Sequence, residues 1–425
     1  MGKITKRSLG VFALFSLCLG ACAGAVVWAL LRIMNLGIHL VWDVIPESFG
    51  HPVVYNFIAC LLGGLIIGLW QTKFGILPDT LEGVMADLKQ KGTYPYNRLH
   101  ILAVSALLPL IFGGSLGPEA GLTGIIVGLC CWIGDRLKYK GAEVKELAQA
   151  GIAATLGVIF NSPFVGIANN FENKDLEDEE PQKAPAEKLE MKKAKTMVYV
   201  AAVIGALGAM GGLSHLFGGG MGIARFGRDV DITFSDWKWF PVFAVISILC
   251  GMLYMLCNRI TSALGERIIG HRIISCMLAG LFLAALGTLF PWTMFSGEHE
   301  MSEMMEVWQQ QSFAVLFLTA LVKLILINLC VNLGWRGGNI FPVIFSGVCM
   351  GFAMAMITGA EPVFAVAVCV SALCGYIMRK PLTVIGVLLL CFPITIIIPM
   401  AAAAYAGSVV PVFGILKKKG KTESM

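Results

Sequence analysis

Nine residues constrain this chain more than any others: Gly113-Gly114-Ser115-Leu116-Gly117-Pro118-Glu119-Ala120-Gly121. They interrupt apolar sequence, residues 101–112 before and 122–133 after, where an unbroken run would simply continue as helix. Glycines gather where a backbone turns tightly or comes close to another group. Pro118 suits the first turn of a helix, where its missing N–H costs nothing. The stretch reads as a loop delivering a helix N-terminus into an apolar interior. Such a terminus carries about +0.5 of an elementary charge and free N–H donors, which suits an anion. The blander alternative is a Gly-Pro kink between two packed helices. A second stretch, Gly337-Gly338-Asn339-Ile340-Phe341-Pro342, repeats the same chemistry in the other half and favours the anion reading.

That interior is a membrane. Only 14% of the 425 residues are charged, against about 25% in ordinary soluble domains, and a span needs only about 20 apolar residues. Non-helical backbone at membrane depth is tolerated only when buried in protein or lining a watery cavity. The net charge of +5 sits mostly in loops and tails, so it bears on topology and gives no reason to expect nucleic acid. Thirteen cysteines are scattered, many within apolar runs, and Cys130-Cys131 has no nearby histidine. No metal spacing, cofactor motif or disulfide framework is read from them.

The N-terminus resembles a secretory signal, with Lys3, Lys6 and Arg7 before an apolar run. A signal's apolar core covers only about 7–15 residues, whereas this run continues to residue 31 and reads as an uncleaved first span. Further spans are expected at 53–70, 101–112, 122–133 and 148–160, with a short interfacial or re-entrant helix from Pro78 to about Lys89. Asn161-Ser162-Pro163 starts a helix ending near Glu172. Residues 174–195 are acidic, then basic, with Pro181 and Pro185, and read as a solvated linker. The second half offers spans at 197–217, 240–257, 273–290, 313–333, 343–357, 363–376 and 394–411, with a helix from Arg379 to Phe392. The expected organisation is a first membrane repeat (1–173), the linker (174–195), a second repeat (196–416) and a basic tail (417–425). The loop at 290–311 holds four glutamates and no Lys or Arg. The positive-inside rule puts it outside, and both termini in the cytoplasm of a multi-pass cell-membrane protein. Interrupted helices in corresponding positions of two halves point to a midplane binding site.

These motifs together resemble the CLC family of chloride channels and proton-coupled chloride antiporters. Residues 114–118 are similar to its Gly-Lys/Arg-Glu-Gly-Pro loop, 337–342 to its Gly-Gly-x-Phe-x-Pro loop, and 161–167 to its Asn-Ala-Pro-Leu-Ala-Gly-Ile helix start. Arg379 to Thr383 and Ile398-Pro399-Met400 resemble its last membrane helices. The resemblance implies an all-α fold of two inverted-topology halves with interrupted and re-entrant helices. It also implies a homodimer in lipid, with one anion path per subunit. The path would be lined by Gly75, Ser115, Leu116, Gly117, Asn339, Ile340 and Phe341, and the amides of Leu116, Gly117, Asn339 and Ile340 would face the anion.

The chain departs from the pattern at its ionisable positions. The family's gating glutamate corresponds to Leu116, its inner proton-transfer glutamate to Asn173 beside Glu172, and its central serine to Gly75. Phe341 is displaced by one place, and no tyrosine matches the last family helix; Tyr405 lies in the preceding one. Glu119 and Glu172 are the candidate gating or proton groups. Glu119 is either a first-turn helix-dipole carboxylate or a displaced gate, since ionisable groups inside a membrane are costly and often functional. It lies three residues beyond Leu116, hence rotated by about 300° and about 4.5 Å further along the axis, close to the same face. Lys323 either snorkels or pairs structurally, or raises the anion's local potential; Asn339 either caps its loop or touches the anion.

The preferred expectation is passive conduction of chloride or another small inorganic anion. Its rival is a proton-coupled antiporter using Glu119 or Glu172. An intramembrane enzyme is disfavoured, because His100, His215 and His271 sit near span edges without catalytic partners. A non-conducting scaffold would have no need of two interrupted helices.

Overall fold

A computed structural model of the chain describes residues 6–48, 50, 53–78, 81–91, 93–136, 142–172, 185–218, 224–227, 230–268 and 270–411. Among these residues the fold is all helix. The first half runs α1 (Lys6–His39), α2 (Ile45–Glu47), α3 (Val53–Phe74), α4 (Leu81–Lys91), α5 (Leu99–Ile111), α6 (Glu119–Arg136), α7 (Ala142–Ile159) and α8 (Pro163–Glu172). The second runs α9 (Pro185–Phe217), α10 (Phe234–Trp237), α11 (Phe240–Ile268), α12 (Arg272–Leu289), α13 (Glu298–Val307), α14 (Phe313–Asn332) and α15 (Ile340–Thr358). It closes with α16 (Pro362–Met378), α17 (Pro381–Leu388) and α18 (Ile397–Val409). Seven helices among the described residues are long and apolar enough to cross a membrane. The polypeptide forms two inverted-topology halves with interrupted helices.

Small residues set how closely the halves approach. A Cβ on Gly20 or Gly24 of α1 would run into the backbone of Ala202 or Ala206 on α9, and one on Gly64 of α3 into the Cys276 carbonyl on α12. Such close crossings stabilise helix pairs in lipid, where apolar burial offers little drive. Burial then sorts the helices by role: 83% of the apolar window of α15 is buried, against 33% in α3 and α9. So α15 is an inner helix, as is α16, while α3 and α9 keep broad apolar faces for lipid.

Three stretches differ from expectation. The first span is longer, continuing through a π-helical turn (Leu40–Val44) in which Trp42 Nε1 donates to the Ile111 carbonyl at 2.9 Å. Helix α9 begins at Pro185, so residues 185–195, expected within the linker, are helical, while 173–184 lie outside the described residues. The acidic loop at 290–311 contains helix α13, opened by Glu298 and Glu300 in its first turn. Asn173 and the tail 417–425 also lie outside the described residues.

Candidate anion site between two glycine loops

Helix α5 ends at Ile111, and Gly113 turns the chain with φ of 83°. The Gly114 amide donates to the Pro109 carbonyl at 2.8 Å and the Leu116 amide to Gly114 at 2.7 Å, so the loop folds back on itself before Pro118 starts α6. In the other half Gly334 makes the turn, with φ of 110°. Trp335 anchors that loop through its backbone amide on the Cys330 carbonyl and its indole on the Cys276 carbonyl, both at 2.8 Å.

The two loops meet. Gly117 and Gly338 form an isolated antiparallel bridge, with the Gly117 amide donating to Gly338 at 2.8 Å and the Gly338 amide to Gly117 at 2.6 Å. Neither position has room for a side chain. A Cβ on either glycine would strike the Glu119 carboxylate, and one on Gly337 would come within 2.9 Å of the Leu116 Cβ. The bridge thus fixes the starts of α6 and α15 side by side and leaves a cradle that Glu119 fills.

Glu119 is 2% exposed. Its Oε1 accepts the Ile340 amide at 2.7 Å, across 221 residues of sequence, and its Oε2 has no hydrogen-bond partner. The side chain leaves the first turn of its own helix and puts its carboxylate on the N-terminus of α15. A first-turn acid serving only its own dipole would have no reason to cross between halves. The carboxylate oxygen stands where an anion bound to the Ile340 amide would stand.

The neighbouring residues complete the pocket. Phe341 is fully buried and stacks on Phe160 with ring centroids 4.9 Å apart, joining the start of α15 to the turn before α8. That turn uses Asn161 with φ of 47°, and the Ser162 hydroxyl donates to the Gly386 carbonyl at 2.5 Å. Ser115 and Leu116 are fully buried, and the Ser115 hydroxyl has no partner. The Asn339 side-chain amide donates to the Tyr254 hydroxyl at 2.9 Å, which is a side-chain tie to α11 rather than a loop cap. No sequence signal pairs residues 254 and 339.

Several expected contacts fall differently. The amides of Leu116 and Gly117, expected to face an anion, donate to the Gly114 and Gly338 carbonyls. The first is used by a turn within its own loop, the second by the bridge between distant loops. Gly75 closes α3 with φ of 93° and its amide on Gln71, in open space and without contact to the Glu119 cluster. Glu172 holds another helix start: its Oε1 accepts from the Leu382 amide at 2.6 Å, and its Oε2 from the Thr383 amide at 2.7 Å and the Thr383 hydroxyl at 2.6 Å. It caps α17.

Lys323 does not snorkel. It is fully buried, and its ammonium donates to the carbonyls of Trp292, Thr293, Met294 and Phe295 at 3.0–3.3 Å, 4.8 Å above the Phe345 ring of α15. The loop it gathers packs on the first glycine turn, since the Phe295 amide donates to the Gly113 carbonyl at 3.1 Å. These contacts hold that loop in place. Among the described residues no group of three or more His, Cys, Asp or Glu side chains is placed to hold a metal.

Comparison with known proteins agrees with this architecture. The profile of the voltage gated chloride channel (CLC) family matches residues 63–411. The chain is 26% identical over 360 residues to the "Putative ion-transport protein YfeO" of Escherichia coli O1:K1 / APEC, covering 82% of this chain and 80% of that protein. It has the same identity and coverage with the protein of that name from Shigella flexneri. Among solved structures, a slow cyanobacterial Cl-/H+ antiporter superposes with a TM-score of 0.77 at 16% identity, covering 94% of this chain and 93% of that one. A CLC-type fluoride/proton antiporter superposes with a TM-score of 0.73 at 17% identity, covering 96% of each chain. The polypeptide, with its paired glycine loops and interrupted helices, therefore belongs to the CLC family of membrane anion-transport proteins.

Proposed function

We propose that this protein carries a small inorganic anion, chloride first among them, along a path gated by Glu119, and that transport is linked to protons. One observation carries the reading: the Glu119 carboxylate accepts the Ile340 amide at the N-terminus of α15. Carboxylate and anion compete for the same donor, so an anion can bind there only when the carboxylate leaves. Protonation removes the charge that the helix terminus attracts and favours that departure. Each passage is thereby tied to a protonation event at Glu119.

The passive path expected from sequence rested on Leu116, which cannot ionise. A carboxylate arriving from one turn further along replaces the missing acid. A second, uncoupled reading is favoured by Glu172, whose oxygens are already engaged by three donors of α17 and so are poorly placed to relay a proton inward. Two solved structures of similar fold are described as a fluoride/proton antiporter and a Cl-/H+ antiporter, which supports the coupled reading. The protein works as a homodimer with one path per subunit, its halves spanning 1–173 and 196–416 and both termini in the cytoplasm.

The test is a chloride gradient across proteoliposomes at equal pH, with internal proton concentration followed. Proton movement against its gradient, abolished in Glu119→Gln, is the expected result. Chloride flux without proton movement, little changed in Glu119→Gln, would install the uncoupled channel instead.

A further inference from the structure

Helix α3 ends in a buried polar side chain that the anion site does not use. Gln71 is 4% exposed in the last turn of α3, and burying an amide is costly where it lacks hydrogen bonds. Here the bonds come from the other half. Nε2 donates to the Gly334 carbonyl at 2.5 Å, across 263 residues of sequence, and Oε1 accepts from the Cys276 thiol at 3.7 Å. The main-chain carbonyl of Gln71 accepts the Gly75 amide at 2.9 Å and the Arg272 guanidinium at 2.8 Å.

Gly334 is the turn from which the second glycine loop departs. A Cβ there would come within 2.6 Å of the Cys276 sulfur, so the turn is tightly seated. Its other holds lie within the second half. The Ser275 hydroxyl donates to the Leu333 carbonyl at 2.9 Å, and Trp335 donates to the Cys330 and Cys276 carbonyls. Of these holds, Gln71 alone comes from the first half. Further along, Gly338 is fixed by its bridge to Gly117, and Ile340 follows with the amide that Glu119 occupies. The loop is thus clamped twice to the first half, at Gly334 by a side chain and at Gly338 by backbone. The first clamp has a stiff base: a Cβ on Gly64 or Gly68 of α3 would strike the backbone of Cys276 or Ile273 on α12.

We propose that Gln71 is a positioning residue for anion transport, setting the place of the α15 N-terminus through the turn at Gly334. It thereby sets how strongly the Ile340 amide holds whichever group occupies it, carboxylate or anion. The inference rests on the reading that Glu119 and the anion share that donor. The side chain must be an amide because the Gly334 carbonyl needs a donor. Methionine and an ionised glutamate have similar length and offer none. Either change loosens one of the two clamps and leaves the bridge to hold the loop alone.

The test uses the full chain in proteoliposomes, with Gln71→Met and Gln71→Glu made in the wild type and in Glu119→Ala, where no carboxylate competes. In Glu119→Ala, either change should raise the half-saturating chloride concentration about three- to tenfold, the weight of one hydrogen bond between neutral groups. The maximal rate should stay the same, because the path remains open. With Glu119 present, the less firmly held carboxylate should leave at a proton concentration lower by about the same factor, so acid activation of efflux moves to higher pH. Gln71→Glu keeps a polar side chain at this place should Gln71→Met not fold. Half-saturation and pH profile unchanged by both substitutions overturn the proposal. A lowered unfolding midpoint with unchanged half-saturation also overturns it, and makes Gln71 a packing residue only. The gate reading fails separately: the pH profile would then be the same with and without Glu119, while Gln71→Met still raises half-saturation and the positioning role stands.

Discussion

Replacing Gly338 with alanine should unlock the path without touching Glu119 itself. A Cβ at residue 338 would occupy the space of the Glu119 carboxylate. What yields is the far end of a flexible side chain, because Gly338 lies outside the left-handed region and its own backbone accepts alanine. The displaced carboxylate loses its hydrogen bond from the Ile340 amide. A hydrogen bond to a charged group contributes about 1.5–3 kcal/mol. Each 1.4 kcal/mol is tenfold in an equilibrium, so occupancy of the blocked state should fall about 10- to 150-fold. In chloride-efflux assays with a potassium shunt, Gly338→Ala should conduct faster than wild type at neutral pH. It should also gain little on acidification, because the gate no longer needs a proton to leave. The control is the same change in a Glu119→Ala background, where it should add nothing, as a double-mutant cycle requires of a contact acting through one partner. Equal acceleration with and without Glu119 would refute the reasoning, since alanine would then act on the loop and not on the carboxylate.

Other consequences follow from the same geometry. Lys323→Met strips the donor from the buried carbonyls of Thr293 and Met294, at about 1–3 kcal/mol each, and should lower the unfolding midpoint in detergent; an unchanged midpoint would mean the loop is held by other contacts. Glu172→Ala should cost about 0.5–2 kcal/mol, as lost helix caps do, while anion efflux persists; loss of proton coupling with stability intact would instead make Glu172 a relay. Protease added to inside-out vesicles should cut between residues 173 and 184, and cleavage from the outside alone would invert the topology.

Much of this architecture was legible because glycine and proline punctuate apolar sequence so sharply. Both loops and the start of α8 at Pro163 follow from residue type; the rotation between Leu116 and Glu119 does not apply, because α6 begins at Glu119 and Leu116 lies in the loop before it. The partner of Glu119 does not, because the bridge between Gly117 and Gly338 joins residues 221 apart and no local pattern encodes it. The same bridge consumes an amide that motif analogy assigned to the anion. The start of α9 is hidden for a different reason. Residues 185–195 are charged, which reads as solvated chain, yet they are mostly Ala, Glu, Lys, Leu and Met, all strong helix formers, and they extend an adjoining span. Lys323 carried a visible anomaly, a lone charge in an apolar helix, but its four carbonyl partners come from a loop about 30 residues away.

The central claim is that the Glu119 carboxylate and the transported anion share one position. Crystals of Glu119→Ala soaked in bromide test this directly. An anomalous peak within hydrogen-bond distance of the Ile340 amide, absent from wild-type crystals at neutral pH, is the predicted result. Bromide bound there in the wild type beside an unmoved carboxylate, or no bromide there in Glu119→Ala, would contradict the account.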